Sequence, residues 1–508
     1  MNPWMVAPIL IPALLAPLML LFLRHRLIAS RTLSLTACLV LLAVSGLLLG
    51  QASTGQIDVY AMGDWMAPFG IVLVLDRLSA MMLVTTALLA LAVMAYAVVS
   101  GLDRKGWHFH PLFQFQLLGL NGAFLTGDLF NLFVFFEVLL IASYGLMLHG
   151  GGAARLKAGV QYVVVNLVGS TLFLVAVGLL YGATGTLNMA HMGERVAQAP
   201  AGDHALILAG GLLMAAVFGL KAALVPLHFW LPRTYASTSA PTAALFAIMT
   251  KVGAYCILRF TTTTFGDGAG ELAWAPAPWL LPAALVTLVL GFIGVLGARH
   301  LRKMAAYSVI GSMGTLLCAL AMFTPESTAA ALYYLPHSTF SAAALFLLVD
   351  VIAARRGNYG DTLAPSPPFA QAGVLSGLFF LAAIAVVGLP PLSGFPGKLL
   401  ILDAVRASPG GWWVWGGILG TTVISMLAFA RAGSAIFWKS AATEGEVKAA
   451  EPVAPSASAA IVAALLAALA VLTIAGGPVT DYLNATAAQL YDLQAYPDAV
   501  LAPSRGAP

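Results

Sequence analysis

Charge is what this chain has least of. Lys, Arg, Asp and Glu together make up 9% of its 508 residues, against 60% hydrophobic ones. Soluble domains carry roughly a quarter charged residues, so a water-facing enzyme is excluded and a polytopic membrane protein is indicated. Cysteine is nearly missing. Cys38, Cys256 and Cys318 lie in three separate apolar runs without CxxC spacing, which points to small core residues and away from a metal or iron–sulfur site. There is no GxxxxGKS/T and no GxGxxG after a strand, so neither nucleotide hydrolysis nor a resident redox cofactor is predicted. The start, MNPWMVAPILIPALLAPLML, lacks both a basic n-region and a small-residue cleavage pattern; it reads as a retained first helix. The net charge of +4 is scattered between apolar runs and forms no nucleic-acid patch. No cofactor is expected, and the energy for any transport has to come from a gradient or a partner.

Apolar runs are what the chain has in abundance. A helix needs about 20 such residues to cross a bilayer. Fourteen stretches qualify: about 3–23, 32–50, 71–99, 111–127, 128–148, 158–181, 205–230, 240–260, 277–297, 304–323, 328–352, 372–400, 411–438 and 457–476. The predicted fold class is therefore all-α and polytopic, a single membrane domain. Basic residues set its orientation. With the N-terminus outside, fifteen Lys and Arg fall in cytoplasmic loops; only Arg77, Arg195, Arg259, Arg406 and Arg505 fall outside. Both termini are thus expected on the outer side. Residues 182–204 hold a candidate surface helix, LNMAHMGERVAQ, and the tail from 477 is expected to be loosely ordered.

Two stretches break the rules of insertion. Residues 212–233, LLMAAVFGLKAALVPLHFWLPR, carry Lys221, Pro226, His228 and Pro232 inside an apolar span. A lysine at the bilayer centre costs roughly 2.5–3.5 kcal/mol on insertion scales. Each proline removes a backbone donor, which membrane helices tolerate only beside protein or water. Residues 388–398, GLPPLSGFPGK, repeat the pattern around Lys398. Helices four to eight (111–260) and nine to thirteen (277–438) then form two five-helix units, preceded by three N-terminal helices (1–110) and followed by helix fourteen (457–476) and a tail (477–508). Because five is odd, the units enter from opposite faces, giving an inverted repeat with a broken helix at corresponding places.

Other ionisable residues gather in the same spans. Glu137, in NLFVFFEVLLIAS, needs a buried cation, and Lys221 is the expected partner; a static bridge locking two helices is the alternative. Lys251 sits mid-way along helix eight, and His337 follows Pro336 in helix eleven. A Glu–Lys pair about 4 Å apart is worth roughly 4 kcal/mol at an effective dielectric near 20. A lysine that gains and loses such a partner can load and release a proton, so Glu137, Lys221, Lys251, His337 and Lys398 read as a lateral proton relay, with His337 equally a hydrogen-bonded core histidine. His228 and Asp350 are secondary candidates for water entrances, and Arg431 for pairing or snorkelling at a helix end. Asp128 reads as a cap.

KAALVPLHFWLP, SAPTAALFAIMTKVGAY, LRKMAAYSVIGSMG and GLPPLSGFPGK occur here in the order found in the antiporter-like membrane subunits of respiratory complex I, membrane hydrogenases and Mrp-type cation/proton antiporters. NLFVFFEVLLIASYGLMLHGG most resembles the D-type subunit of the Mrp (Mnh, Pha) antiporters. The resemblance covers about residues 70–440. It implies Glu137 and Lys221 as a coupled pair, Lys251 as central relay and Lys398 as terminal lysine. It also implies an obligate hetero-oligomer with other antiporter subunits in the bilayer of a bacterial inner membrane, exchanging H⁺ against Na⁺ or K⁺. The second reading is a non-redox, proton-pumping subunit of complex I or of a hydrogenase. The metal-ion route is not assignable from the sequence.

Overall fold

The computed structural model describes residues 3–443 and 456–505, which are almost wholly helical. In chain order the helices are α1 (Ala7–Phe22), α2 (Leu27–Ala52), α3 (Arg77–Val99), α4 (Phe109–Leu125), α5 (Leu129–Leu148), α6 (Ala153–Thr184), α7 (Met189–Ala197), α8 (His204–Lys221), α9 (Leu231–Ser237), α10 (Ala240–Thr264), α11 (Ala277–Gly297), α12 (Leu301–Leu320), α13 (Pro325–Arg355), α14 (Ala372–Val387), α15 (Gly394–Ala404), α16 (Gly411–Gly433), α17 (Ser456–Ile474), α18 (Gly476–Tyr491) and α19 (Ala495–Arg505). Every expected span coincides with one of these or with a broken pair. Among the described residues eleven are long and apolar enough to cross a bilayer, while α1 and α14 are shorter apolar helices. The candidate surface helix at 182–204 is α7, and its start is fixed by Asn188, whose side chain accepts from the backbone N–H of Ala190 and His191.

Three helices make the axis. The apolar windows of α10, α12 and α13 are 100%, 89% and 83% buried, whereas those of α2, α6, α11, α16 and α17 are only 33–39% buried. The peripheral helices expose leucine, valine and phenylalanine outward, as a lipid solvent permits. That axis therefore keeps most of the side chains in its apolar windows inside the protein.

The third span and the tail depart from expectation. Residues Val72–Leu75 form strand β2, paired antiparallel with β1 (Asp58–Ala61), so the connection from α2 to α3 is a hairpin with Asp58 opposite Leu75. The helix starts only at Arg77, because the Asp76 carboxylate accepts from the Ser79 N–H while the Asp76 N–H donates to the Ser79 hydroxyl, each at 2.9 Å. Such a capping box ends the strand and opens the helix. The tail is ordered rather than loose. The Tyr482 hydroxyl donates to the Arg77 carbonyl at 2.7 Å, and Tyr491 stacks on Trp274. Its Leu483, Thr486 and Ala487 recur at helical spacing and are buried, so tertiary contact overrides a composition that reads as loop. The stretch AATEGEVKAAEPVAPSAS (441–458), which reads as a solvated linker before the last span, falls mostly on residues 444–455, outside the described residues.

Both proline-marked helices are broken. The first ends at Lys221 and resumes, after a turn through Ala223 (φ +56°), as a short 3₁₀ segment, Leu227–Trp230, and then α9. Trp230 Nε1 donates to the freed Leu220 carbonyl at 3.2 Å, and the Val225 N–H donates to Thr287 Oγ1 of α11 at 2.9 Å, so the opened backbone is largely re-paired within protein. The second ends at Val387 and resumes at Gly394. Gly388 has φ +80°, and a Cβ there would lie 2.8 Å from Cδ of Lys398. Only glycine fits both the turn and the lysine stem.

Candidate functional site

Lys221 is the last residue of α8 and is buried. Its Nζ donates to Asn166 Oδ1 on α6 at 3.0 Å and lies 5.7 Å from the centre of the Phe136 ring on α5. Glu137, the neighbour of that phenylalanine, accepts a hydrogen bond from the Ser170 hydroxyl, also on α6. Asn166 and Ser170 are one turn apart on the same helical face. Among the described residues no direct ion pair joins Glu137 to Lys221, so the expected contact is replaced by a bridge. The cause is packing: α5 and α8 both rest on α6, and its two polar side chains take one partner each. Glu137 is half-buried, beside the outward residues Val134 and Ile141.

Lys251 lies on α10, fully buried, and its Nζ has no hydrogen-bond partner in the protein. Two residues on, Gly253 lets α10 press against the first break: a Cβ there would stand 2.5 Å from the Ala222 nitrogen and 2.7 Å from the Phe218 carbonyl. That close approach puts Lys251 beside the helix that ends in Lys221.

The second break gathers two more candidates. Lys398, buried on α15, donates from Nζ to the Val387 carbonyl at 2.7 Å and to Thr422 Oγ1 of α16 at 2.9 Å. It stands 5.7 Å from the centre of the Phe292 ring, as Lys221 does from Phe136. His337 on α13 is hydrogen-bonded through Nδ1 to Ser393 Oγ at 2.9 Å. A Cβ on Gly394 would come within 2.9 Å of its ring. Both lysines thus stand at a helix break. Lys221 is itself the C-terminal residue of a half-helix, and Lys398 donates to the C-terminal carbonyl of one, where the helix dipole presents about half a negative charge. Each ammonium is held by neutral oxygens or by none, and no carboxylate of the described residues cancels its charge in place.

Two of the secondary candidates are committed elsewhere. Asp350 accepts from Arg302 and from the Tyr96 hydroxyl, each at 3.2 Å. Arg431 donates to the Leu296 carbonyl at 2.5 Å and to that of Ala298 at 3.2 Å, capping the end of α11. His228 is half-buried in the first break, and its Nδ1 is unpartnered. Asp128 caps α5 by accepting from the Asn131 N–H at 2.8 Å. The three cysteines are free and buried, and among the described residues no group of His, Cys, Asp and Glu is arranged to hold a metal.

Sequence reasoning missed Asn166, Ser170, Ser393 and Thr422, the neutral partners of the titratable groups. A signal existed for the first two: in VVVNLVGSTLFLV an amide and a hydroxyl stand four residues apart in an otherwise apolar span. It also passed over Gln114 and Gln116 of α4, fully buried with all four amide atoms unpartnered. At the start of α3, Arg259 of α10 is locked to Asp76 at 2.6 Å, both buried.

A family model described as the transmembrane domain of NADH:quinone oxidoreductase/Mrp antiporter proteins matches residues 126–425. The chain is similar to the D-type subunit of a probable K⁺/H⁺ antiporter of Rhizobium meliloti, 38% identical over 99% of both chains. It is also similar to the D-type subunit of an Na⁺/H⁺ antiporter of Bacillus subtilis, 39% identical over 79% of this chain and 80% of the relative. Among solved structures, a chain of the Mrp complex from a Dietzia species superposes with a TM-score of 0.86 at 27% identity, covering 99% of this chain and 100% of that one.

Proposed function

Because the chain belongs to the NADH:quinone oxidoreductase/Mrp antiporter transmembrane family, we propose that it is the proton-translocating subunit of a multisubunit Na⁺(K⁺)/H⁺ antiporter. The carrying observation is that three buried lysines, Lys221, Lys251 and Lys398, face neutral partners or none. An isolated ammonium in low dielectric is held against a large desolvation cost, so the approach or departure of one charge is enough to load or release its proton. A static bridge needs a fixed counter-ion at each lysine, and none of the described carboxylates stands within ion-pair distance of these three.

In this reading the relay runs from Glu137 and Ser170 through Asn166 to Lys221, then to Lys251, His337 with Ser393, and Lys398. Water joins groups that do not touch. Residues 111–260 and 277–438 act as two inverted units, each rocking about its own broken helix. The subunit lies in the plasma membrane of a bacterium, with both termini outside, and works in a hetero-oligomer whose other subunits contribute to the Na⁺ or K⁺ route. Full-length similarity to a protein named as an antiporter's D-type subunit supports this over a place in an oxidoreductase.

The test is cation-dependent proton exchange in everted membrane vesicles. Lys221→Ala and Glu137→Ala are expected to abolish exchange while the complex still assembles. Full exchange by an assembled Lys221→Ala complex would reject the relay; loss of exchange only through loss of assembly would return Glu137 and Lys221 to a structural role.

A further inference from the structure

On the face that carries most of the basic loops, the α1–α2 turn meets the α3–α4 turn around a cavity of about 400 Å³. Arg24, His25, Arg104 and Trp107 line its mouth, and Asp103 and His110 its floor. The Arg24 guanidinium lies 4.9 Å from the centre of the Trp107 indole, and the His25 ring meets the same indole edge-on at 4.7 Å.

The one carboxylate in this wall is already used. Asp103 accepts from Arg31 at 2.5 and 2.7 Å and from His110 Nε2 at 3.3 Å, while His110 Nδ1 is bonded to Ser34 at 2.9 Å. Burial opposes its charge, yet these hydrogen bonds hold its carboxyl down at about 2. It therefore stays ionised and cancels Arg31, and the positive charge of Arg24 and Arg104 is left over. Neither arginine has a carboxylate within ion-pair distance among the described residues, and both are exposed.

Immediately below the cavity the surface turns apolar. Leu21 and Phe22 end α1, and Ile28 begins α2; they are 72%, 75% and 80% exposed. Arginines with no counter-ion, a half-exposed indole and a hydrocarbon-facing wall within one turn of each other match an amphiphile whose polar end is anionic. Interfacial tryptophan marks headgroup depth, and basic pockets between membrane helices suit lipid phosphates.

We propose that this cleft binds the phosphodiester headgroup of an anionic phospholipid, with Arg24 and Arg104 on the phosphate, Trp107 at the glycerol level and the acyl chains along Leu21, Phe22 and Ile28. The inference rests on the membrane-spanning reading of the chain and not on the proton relay. A free phosphate would gain nothing from the apolar wall, which sets the lipid apart from it.

The experiment uses the purified multisubunit complex in phosphatidylcholine nanodiscs and measures capture of a fluorescent phosphatidylglycerol. Each arginine is expected to contribute about fivefold, so Arg24→Gln with Arg104→Gln weakens capture ~25-fold. Arg24→Lys with Arg104→Lys keeps most of it, and proton exchange is unchanged in both. Should the double glutamine variant fail to assemble, Arg104→Gln alone, exposed and with no side-chain hydrogen bond among the described residues, decides by its own fivefold. Equal capture by wild type and variant overturns the proposal. So does displacement of the lipid by inorganic phosphate, which makes the cleft a free-anion site. A photo-reactive group at position 107 that labels a neighbouring subunit instead of lipid overturns it too.

Discussion

Asn166 is the residue on which the first half of the site turns. Its Oδ1 is the acceptor for Lys221 Nζ, at 3.0 Å in a buried setting. Hydrogen bonds to charged groups contribute about 1.5–3 kcal/mol, and every 1.4 kcal/mol is a factor of ten. Asn166→Leu keeps the shape and removes the acceptor, so the protonated carrier becomes about 10- to 100-fold rarer and exchange in everted vesicles falls by the same factor. Asn166→Asp acts the other way. It places a full charge where a dipole stood, an attraction of roughly 4 kcal/mol at an effective dielectric near 20, which traps the proton and stops release. Both variants lose exchange, but their stabilities part: melting of the solubilised complex drops for leucine and holds or rises for aspartate. An assembled Asn166→Leu complex that exchanges at the wild-type rate would refute the reasoning, because Lys221 would then owe nothing to its acceptor.

Ser393→Ala deprives His337 Nδ1 of its 2.9 Å partner and is expected to slow exchange about tenfold, with Ser393→Thr restoring it; equal rates in all three remove His337 from the relay. Asp76→Asn strands the Arg259 guanidinium in a buried site and is expected to cost about 3–5 kcal/mol of stability, read as a lower melting temperature with unchanged exchange per folded complex. Gln114→Leu removes two unpartnered buried amide atoms and is expected to leave stability equal or about 1 kcal/mol higher; a loss of that size would mean that water fills the gap.

Most of the fold was legible because spanning a bilayer leaves few options. Apolar length gave every span, and Pro226 with Pro232 and Pro390 with Pro391 gave both breaks. Lys221, Lys251 and Lys398 stood out because a lysine in hydrocarbon is costly. What could not be read is what those lysines touch. The Glu137–Lys221 pairing rests on charge alone, whereas in the structure each bonds a different side chain of α6, Ser170 and Asn166, and sequence spacing carries no information about which helix packs on which. The β1–β2 hairpin and the ordered tail were missed for a related reason. Val72–Leu75 is as apolar as the helix that follows it, and the tail gains its order from Arg77 and Trp274, each more than 200 residues distant along the chain.

The two halves solve one electrostatic problem with different residues, and the difference says what a break is for. The second unit carries no counterpart of Glu137: its helix α12 offers Ser308 and Ser312. Yet Lys398 is held as firmly as Lys221, by the Val387 carbonyl at 2.7 Å and Thr422 at 2.9 Å. In both halves the lysine stands at a break: Lys221 ends α8 and is held by Asn166, and Lys398 reaches the last carbonyl of α14, where a helix end is worth about half an elementary charge. A carboxylate at that place would bind the ammonium too well to let its proton go, and hydrocarbon alone favours the neutral amine. Interrupting a helix inside the membrane creates the intermediate: a fixed, untitratable partial charge that no pH change can remove. On this argument the prolines and Gly388 act electrostatically, by deciding where the helix dipole ends, and Glu137 is the variable element added to one half only.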